Sequence, residues 1–263
     1  MTELVFLKLG GSLITDKTGV ETVRPAVIER IAAEISQGLS IRTDMQLLLG
    51  HGSGSFGHVA ADKYQTRQGV HSSHEWKGFA EVSDSAARLN QIVRNALRQV
   101  GLPAVSFQPS ASAVCQNGAL SSLETGGISR ALDANLIPIV YGDVAIDTVK
   151  GGTIVSTEEL FAYLALELSP NRILLAGEST GVLDSDGAVI QELSRNNLDK
   201  YTSALGNSRG TDVTGGMATK VYGMVDLVDR VPGLSIHIFS GLVPGTLTLS
   251  IEGQMPVKGT SIV

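Results

Sequence analysis

A glycine-rich stretch in the first quarter of the chain has the composition of a phosphate-binding loop. It reads Gly50-His51-Gly52-Ser53-Gly54-Ser55-Phe56-Gly57-His58, with four glycines in its first eight residues. It follows an apolar run, 45–49, that predicts a buried strand, and it precedes 59–64, which predicts the first turns of a helix. Glycines placed there let the backbone approach a ligand and turn N–H groups toward an anion. The stretch therefore predicts a phosphate site, with the ring of His58 beside the same anion.

The spacing Gly52-x-Gly54-x-x-Gly57 also matches the fingerprint of dinucleotide-binding folds. Such a fold would carry an acidic residue at the end of the next strand to bind a ribose. The next strand-like run, 103–107, is followed by Gln108-Pro109 instead, and the glycines come after the second strand-like run rather than the first. A phosphate site is favoured, while a dinucleotide site and a plain tight turn remain as lesser alternatives.

Further glycine-bearing segments lie where a predicted strand ends or a helix begins. They are Lys8-Leu9-Gly10-Gly11-Ser12, Tyr141-Gly142-Asp143-Val144, Gly177-Glu178-Ser179-Thr180-Gly181 and Thr214-Gly215-Gly216-Met217-Ala218-Thr219-Lys220. Successive backbone N–H groups form concave anion sites, and this number of segments exceeds what one phosphate group needs. Two phosphorylated ligands, a donor and an acceptor, fit better. The P-loop pattern of two glycines separated by four residues and followed by lysine is missing. Gly210 and Gly215 have that separation, but the next residue is Gly216.

Strand-like and helix-like runs alternate along the whole chain. This alternation predicts an α/β fold, a three-layer αβα sandwich with a central, mostly parallel sheet. In such sheets ligands bind at the carboxyl ends of the strands, where the glycine segments lie. The expected strands are 4–7, 46–49, 104–107, 137–141, 172–176, 235–239 and 247–249; helices are expected from about Pro25, at 79–100, near 110–115, and at 128–134, 157–168 and 218–228; hairpins are expected at Asn117-Gly118 and at 150–152. Ser156 and Glu159 have the spacing of a capping box for the helix at 157–168.

Composition excludes several classes of partner. The net charge is −6 and Lys and Arg form no runs, which argues against nucleic acid or an anionic membrane as the main partner. No apolar run approaches the ~20 residues that a membrane span needs. The chain opens directly on a strand-like run without the pattern of a secretory signal, and its only cysteine is Cys115, so no internal disulfide can form. We therefore expect a cytoplasmic protein.

Three motifs together carry a resemblance to a known family. The combination of Lys8-x-Gly10-Gly11-Ser12, the Gly52–His58 loop and Thr214-Gly215-Gly216-Met217-x-x-Lys220 resembles the amino acid kinase family. Within it, His58, Lys17 and the segment 141–144 make the chain similar to the isopentenyl phosphate kinases. The resemblance covers nearly all of the 263 residues. It implies a single domain over 1–263, with an acceptor lobe at about 1–168 and an ATP lobe at about 169–263, and a homodimer.

The resemblance implies transfer of the γ-phosphoryl group of MgATP to isopentenyl phosphate, giving isopentenyl diphosphate and ADP. A phosphomonoester has its second pKa near ~6, so this acceptor is mostly a dianion at neutral pH and needs no strong general base. The difficulty is repulsion, because two unit charges ~4 Å apart repel by roughly 4 kcal/mol at an effective dielectric constant of 20. Catalysis is then mainly positioning, with cations and N–H groups around the moving phosphoryl group.

The resemblance also implies which residues form the site. Catalytic roles fall to Lys8, Lys17 and His58. The acceptor would be bound by Ser53, Gly54, His58 and Gly142, and ATP by Lys8, Gly10, Gly11, Ser12, Gly54, Gly177, Gly181, Gly216 and Lys220. The sequence offers no metal-ligand cluster, so Mg²⁺ would arrive with ATP and no residue is assigned to bind a metal.

Some residues near these motifs have structural interpretations that compete with functional ones. We expect His51 and Asp143 to be structural, and Glu178 and Thr180 stand where relatives usually carry aspartates, which leaves nucleotide contacts there open. Phe79, Val82, Ala86 and Leu89 recur at helical spacing and predict either core packing or a pocket for a five-carbon tail. Alternatives to the reaction above are a fosfomycin or uridylate kinase of the same fold, and a non-catalytic ATP or phosphate sensor.

Overall fold

The computed structural model describes residues 2–201, 216–254 and 258–263, and of His58, Met217 and Ala218 it describes the backbone alone. The strands in this part of the chain are β1 (Glu3–Leu9), β2 (Met45–His51), β3 (Ala104–Ser106), β4 (Val114–Gln116), β5 (Ala119–Ser122), β6 (Ile137–Tyr141), β7 (Asp143–Asp147), β8 (Gly151–Val155), β9 (Arg172–Gly177), β10 (Glu192–Leu193), β11 (Ser235–Ser240) and β12 (Gly259–Ile262). The helices are α1 (Gly11–Ile14), α2 (Pro25–Ile41), α3 (Gly54–Tyr64), α4 (Ser73–Gln99), α5 (Gly126–Asp133), α6 (Thr157–Leu168), α7 (Gly216–Arg230) and α8 (Thr246–Ile251).

An eight-stranded sheet forms the centre of the fold, in the order β10-β12-β11-β9-β1-β2-β6-β3. Every pair in it is parallel except β11 with β12. The strand β1 lies between β2 and β9, and its register pairs Leu9 with His51 on one side and with Ala176 on the other. The central strands therefore end level with one another. The sheet is continuous across β9, the first strand of the expected ATP lobe.

Successive residues of β1 alternate between two hydrophobic cores, one on each face of the sheet. Phe6 packs against Phe161 of α6 with ring centres 5.1 Å apart, whereas Val5 and Leu7 lie with Ile31 of α2 in the opposite core. Val5, Phe6 and Leu7 are fully buried, and each such side chain contributes about 1.5–3 kcal/mol of burial free energy. Helices on both faces of a mostly parallel sheet confirm the predicted three-layer αβα sandwich.

A second sheet of four strands, β5-β4-β7-β8, was not expected from the parallel pattern. It contains both expected hairpins. Asn117 and Gly118 have φ values of +52° and +86°, as the tight turn between two antiparallel strands requires. The helix expected near 110–115 was wrong, because only a short 3₁₀ turn, Pro109–Ala111, precedes β4. There Cys115 is buried and its neighbours in the strand are not, which is the two-residue period of a strand.

Two further expectations about element bounds were wrong. The helix α4 begins at Ser73 and not near Phe79, because Ser72 and Glu75 form a capping box that the polar composition of 65–77 concealed. The residues 247–249 belong to α8 and not to a strand. Leu247 and Ile251 are one helical turn apart and both are buried, and Ile251 packs on Gly38 of α2. The last strand of the sheet is β12, which sequence reasoning missed.

The expected helix at 218–228 lies within α7. The glycine-rich segment that leads into it, including Thr214 and Gly215, lies outside the described residues. Among the helices that the structure describes, none combines the length and the apolar character that a membrane crossing requires.

Candidate active site

Backbone hydrogen bonds join the loops that follow the carboxyl ends of the central strands to the neighbouring strands. The hydrogen bonds continue the sheet beyond the strands: Gly10 N–H donates to Ala176 O at 2.8 Å, Gly52 N–H to Leu9 O at 3.0 Å, Gly142 N–H to His51 O at 3.1 Å and Gly241 N–H to Gly177 O at 2.8 Å. Each of these loops therefore begins with a glycine at the same edge. The sequence-predicted segments at Gly10, Gly52, Gly142 and Gly177 are brought together, as the parallel topology demanded.

The first two glycine loops pack backbone against backbone. A Cβ atom on Gly11 would lie 2.5 Å from the amide nitrogen of Gly54, and one on Gly52 would lie 2.9 Å from the amide nitrogen of Gly11. Side chains are excluded at this contact, so glycine is required on both loops. The contact joins a residue assigned to ATP, Gly11, directly to one assigned to both ligands, Gly54.

Gly54 opens α3 in a left-handed conformation, with φ of +49°. The following turn is fixed by Thr15, whose hydroxyl donates to Gly11 O at 2.7 Å and accepts from Ser55 N–H at 3.0 Å. Ser53 precedes the helix but its side chain makes no capping hydrogen bond. The positive end of the α3 dipole therefore faces the junction of the two loops without a cap from Ser53, which favours an anion there.

The residues assigned to the acceptor meet on the other side of this junction. A Cβ atom on Gly142 would lie 3.9 Å from the amide nitrogen of Ser53 and 3.7 Å from Oγ1 of Thr157. Thr157 in turn donates to the carbonyl of His51 at 2.6 Å. Ser53, Gly54 and Gly142 are thus neighbours. His58 lies in the second turn of α3, and its side chain lies outside the described part of the chain.

Lys8 forms an ion pair at the end of β1 with a residue that sequence reasoning missed. Its Nζ lies 2.6 Å from Oε1 of Glu158, and the two side chains are 15% and 31% exposed. Glu158 is the second residue of α6, whose start is fixed by the predicted capping box: Glu159 N–H donates to Ser156 Oγ at 3.2 Å, and Ser156 N–H donates to Glu159 Oε2 at 2.6 Å. The capping box therefore places Glu158 at the site.

The electrostatics of Glu158 connect Lys8 with Lys220 of α7. Burial opposes ionisation of the Glu158 carboxyl, but the charge and hydrogen bond of Lys8, and then the charge of Lys220, outweigh it and hold the pKa of Glu158 below its usual value. Glu158 is therefore a carboxylate at neutral pH, paired with Lys8 and within electrostatic reach of Lys220. Two cations from elements far apart in sequence thus act on one carboxylate near the edge where the glycine loops meet.

The remaining residues assigned to ATP have different surroundings. Gly10 lies against the end of β9, since a Cβ atom on it would be 3.4 Å from Cα of Gly177. Ser12 is half-buried in α1. Gly181 packs against β12, where a Cβ atom would lie 2.7 Å from Oγ1 of Thr260. Packing alone explains the glycine there. Gly216 opens α7.

Lys17 lies on the loop between α1 and α2, and its side chain is exposed. The base of this loop is closed by an antiparallel bridge between Thr15 and Val23. Its far side is held over the start of α3 by Glu21, whose N–H donates to Ser55 O at 3.4 Å. Lys17 therefore belongs to the same edge of the sheet, but it is more exposed than Lys8, which is held in a partly buried ion pair.

His51 and Asp143 have the structural environments expected of them. His51 is fully buried, its ring is stacked on Tyr141 with centres 5.4 Å apart, and burial lowers the pKa of its imidazole. Asp143 is buried as well and accepts from the N–H groups of Ser110 at 3.2 Å and Val144 at 2.8 Å. Burial raises the pKa of the Asp143 carboxyl. Both side chains are enclosed by protein and anchor the ends of β2 and β6.

Two other features bear on ligand binding. Val82, Ala86 and Leu89 of α4 are buried core residues, and Phe79 packs on Gly152 of β8, so this stripe is packed against protein. Within residues 2–201, 216–254 and 258–263, no group of three or more His, Cys, Asp or Glu side chains is placed to hold a metal ion. The described residues thus provide no cluster of metal ligands.

Comparison with known proteins agrees with this geometry. The model of the amino acid kinase family matches residues 3–240. The isopentenyl phosphate kinase of Methanocaldococcus jannaschii is 36% identical over 266 residues, covering 98% of either chain. The isopentenyl phosphate kinase of Haloferax volcanii is 37% identical over 254 residues, covering 96% of either chain. These similarities extend over almost the entire length of all three proteins.

Solved structures give the same result at the level of the fold. A structure described as isopentenyl phosphate kinase superposes with a TM-score of 0.83 at 28% identity and covers 99% of this chain and 100% of its own. The substrate complex of an isopentenyl phosphate kinase superposes with a TM-score of 0.79 at 23% identity, which supports the fold alone. The chain belongs to the amino acid kinase family.

Proposed function

We propose that the protein transfers the γ-phosphoryl group of ATP to isopentenyl phosphate, giving isopentenyl diphosphate and ADP. The observation that carries the proposal is the ion pair of Lys8 with Glu158, on which the charge of Lys220 also acts, beside two glycine loops that touch each other. A single phosphate would need only one of these loops. Two lysines and two sets of backbone N–H groups match a donor and an acceptor that both carry phosphate. The similarity to named isopentenyl phosphate kinases supplies the identity of the acceptor.

Under this proposal the two ligands bind to different elements of the fold. The acceptor phosphate would lie at the start of α3, bound by N–H groups of Ser53 and Gly54, by His58 and by the backbone at Gly142. The ATP phosphates would lie against the segment 10–12 and the start of α7. Residues 1–168 would then supply most of the acceptor lobe and 169–263 most of the ATP lobe.

The chemical step needs cations more than it needs a base. The acceptor is a dianion at neutral pH, so its oxygen is already nucleophilic, and the barrier comes largely from bringing it to the γ-phosphate. Lys8 and Lys17 would stabilise negative charge on the transferred group, and Lys220 would bind the phosphates of ATP. Mg²⁺ would be carried by ATP, as the resemblance to this family implies. No step assigned to the side chains depends on it.

Two further properties belong to the same proposal. Cys115 is buried and burial raises the pKa of its thiol to about 11, so it is an unreactive core residue that suits a reducing cytoplasm.

The resemblance to this family also implies a homodimer, which light scattering on the purified protein would test.

A coupled assay of ADP release tests the proposed acceptor. Isopentenyl phosphate, dimethylallyl phosphate, UMP and fosfomycin would be compared at saturating MgATP, with the highest kcat/KM expected for isopentenyl phosphate. A preference for UMP or fosfomycin would assign the protein to another kinase of the same fold. ATP binding without ADP release on any of the four compounds would identify a sensor and refute the proposal.

A further inference from the structure

The loop that carries Lys17 is held at its base like a short hairpin. We call residues 16–24 the Lys17 loop. Asp16 N–H donates to Thr22 O at 2.8 Å, and Arg24 N–H donates to Ile14 O at 2.9 Å. These bonds fix where the loop leaves α1 and where it enters α2. They do not fix the orientation of the rest of the loop above the sheet edge. That orientation depends on contacts with α3, α4 and the loop after β9.

One set of contacts ties the Lys17 loop to the acceptor side of the site. Ser55 of α3 accepts from Thr22 N–H through its hydroxyl at 3.2 Å. The carboxylate of Glu21 accepts from Ser85 Oγ of α4 at 2.8 Å and forms an ion pair with Arg88. The outer part of the loop is thereby attached to α3 and α4.

A single ion pair ties the loop to the opposite side. Nη1 of Arg24 lies 2.8 Å from Oε1 of Glu178, and the side chains are 31% and 34% exposed. The pair joins residues 154 positions apart in sequence. The side chain of Arg24 makes no capping bond to α2, although Arg24 is the residue that precedes that helix. Its guanidinium instead binds Glu178 in the loop after β9.

The guanidinium of Arg24 also lies near the residue that precedes Lys17. Hydrogen bonds from Thr18 lower the pKa of the Asp16 carboxyl, and the charge of Arg24 lowers it further. Arg24 thus lies within electrostatic reach of Asp16 at one end while it binds Glu178 at the other.

Glu178, the partner of Arg24, lies on a loop that several hydrogen bonds fix in place. The carbonyl of Glu178 accepts from Ser240 Oγ at 3.2 Å, and Gly177 O accepts from Gly241 N–H at 2.8 Å. Farther along, Val182 N–H donates to Thr260 Oγ1 at 2.8 Å. Bonds to β11, its following loop and β12 therefore fix the position of Glu178 independently of the Lys17 loop, so that Glu178 can serve as an anchor for it.

We infer that Arg24 and Glu178 are positioning residues, which hold Lys17 over the phosphoryl group that passes between the two ligands. The inference rests on the proposed function, because it takes Lys17 to act in the transfer. A partly exposed ion pair adds little to folding stability, whereas displacement of a catalytic group by ~1 Å from a distant change can cost about a hundredfold in rate. The pair should therefore affect turnover more than stability. It also accounts for glutamate at position 178.

The test begins with Arg24→Ala and Glu178→Ala, assayed as single and double variants. We expect kcat to fall by roughly ten- to a hundredfold, with the acceptor KM changed by less than about threefold. The double variant should be no slower than the slower single one. Arg195→Ala is a matched control, because Arg195 pairs with Asp229 on the surface at 51% and 45% exposure. It should retain the turnover of the unmodified protein.

Two further variants separate positioning from a merely structural role. In a Lys17→Met background, Arg24→Ala should cause no further loss of kcat, because Arg24 acts through Lys17. The exchanged pair Arg24→Glu with Glu178→Arg should recover part of the lost turnover. Unchanged kcat in the single variants, or an equal loss from Arg24→Ala with and without Lys17, would overturn the inference.

Hydrogen exchange gives a readout that does not depend on substrate. Amides of residues 16–23 should exchange about tenfold faster in Arg24→Ala than in the unmodified protein, while amides of β9 keep their rates. If the unmodified protein fails to phosphorylate isopentenyl phosphate, the proposed function is wrong. Unchanged exchange in the loop would instead show that the ion pair does not hold it, whatever the acceptor is.

Discussion

Lys8 and Glu158 lie 150 positions apart in sequence, and their side chains meet at 2.6 Å at the end of the central strand. The ion pair limits the conformations of a long side chain that would otherwise be free to move in the site. It also keeps negative charge close to where phosphates would bind, which works against their affinity. The ion pair therefore holds Lys8 in place while it lowers the affinity for phosphate, and the charge of Lys220 acts on the same carboxylate.

Glu158→Gln tests this division between placement and affinity. Glutamine keeps the shape and an oxygen that accepts from Lys8, but it removes the negative charge that pairs with Lys8. We expect kcat to fall by roughly ten- to a hundredfold without any rise in the KM for ATP. Steady-state kinetics with varied ATP would measure both values. Glu167→Gln, at an exposed position near the end of the same helix, is the matched control. A higher KM at unchanged kcat would assign Glu158 to binding alone.

His58→Ala should affect the acceptor and spare ATP. His58 lies on α3, whose first residue meets the loop after β1, and the proposal places its ring on the acceptor phosphate. A hydrogen bond to a charged group contributes about 1.5–3 kcal/mol, so kcat/KM for the acceptor should fall by roughly ten- to a hundredfold. Binding of ATP, measured by calorimetry without acceptor, should change little. An equal loss of ATP affinity would place His58 on the donor. His74→Ala, at an exposed position on α4, serves as the control.

Gly54→Ala should damage both stability and catalysis. The left-handed backbone at Gly54 costs a residue with a side chain roughly 1–2 kcal/mol, and its Cβ would lie 2.1 Å from Oγ1 of Thr15. Gly101→Ala provides the control, because φ is +82° there and no atom lies within 4 Å of the added carbon. Both variants should lose stability in urea denaturation, but only Gly54→Ala should also lose kcat/KM. Equal activity in the two would show that the loop contact has no role in the site.

The capping box of α6 shows what the sequence could predict about the site. Ser156 and Glu159 fixed the start of that helix to the residue, because their side chains and backbone groups interact locally. Glu158 between them was not recognised. An acidic residue in a first helical turn is common for reasons of the helix dipole, so its type and position carry no sign of a distant lysine. Only the tertiary fold, which brings α6 to the end of β1, reveals the contact.

Glu178 and the segment 247–249 illustrate two other limits. Glu178 departs from the expected aspartate, and its partner Arg24 lies on another loop, so the sequence could not explain it. At 247–249, apolar residues separated by one threonine fit a strand as well as a helix over so short a run. The helix is favoured here because Leu247 and Ile251 are both buried against neighbouring elements, and such long-range contacts cannot be read from the local sequence. By contrast, the parallel sheet followed from the alternation of strands and helices, and its glycine-lined edge followed from glycine segments placed at strand ends.

The stability of the protein should depend on pH through His237 of β11. Burial, and then the charge of Arg172, lowers the pKa of the His237 imidazole to about 4. Its Nε2 lies 3.1 Å from Ser235 Oγ, and its Nδ1 is buried without a hydrogen-bond partner among the described residues. A neutral ring tolerates this, since Nδ1 then needs no acceptor. A protonated ring would bury an N–H donor that has nothing to bind.

The sign of the effect follows from where the proton binds. Between about pH 6.5 and pH 4 an unfolded histidine gains a proton while the folded one does not, so stability is full above this window and declines as the pH falls through it. Tm measured from pH 7 to pH 5 should therefore fall less in His237→Gln than in the unmodified protein. This range avoids protonation of most carboxylates. His71→Gln, at an exposed position, should keep the original slope. A parallel fall in His237→Gln and the unmodified protein would show that another group controls the acid sensitivity.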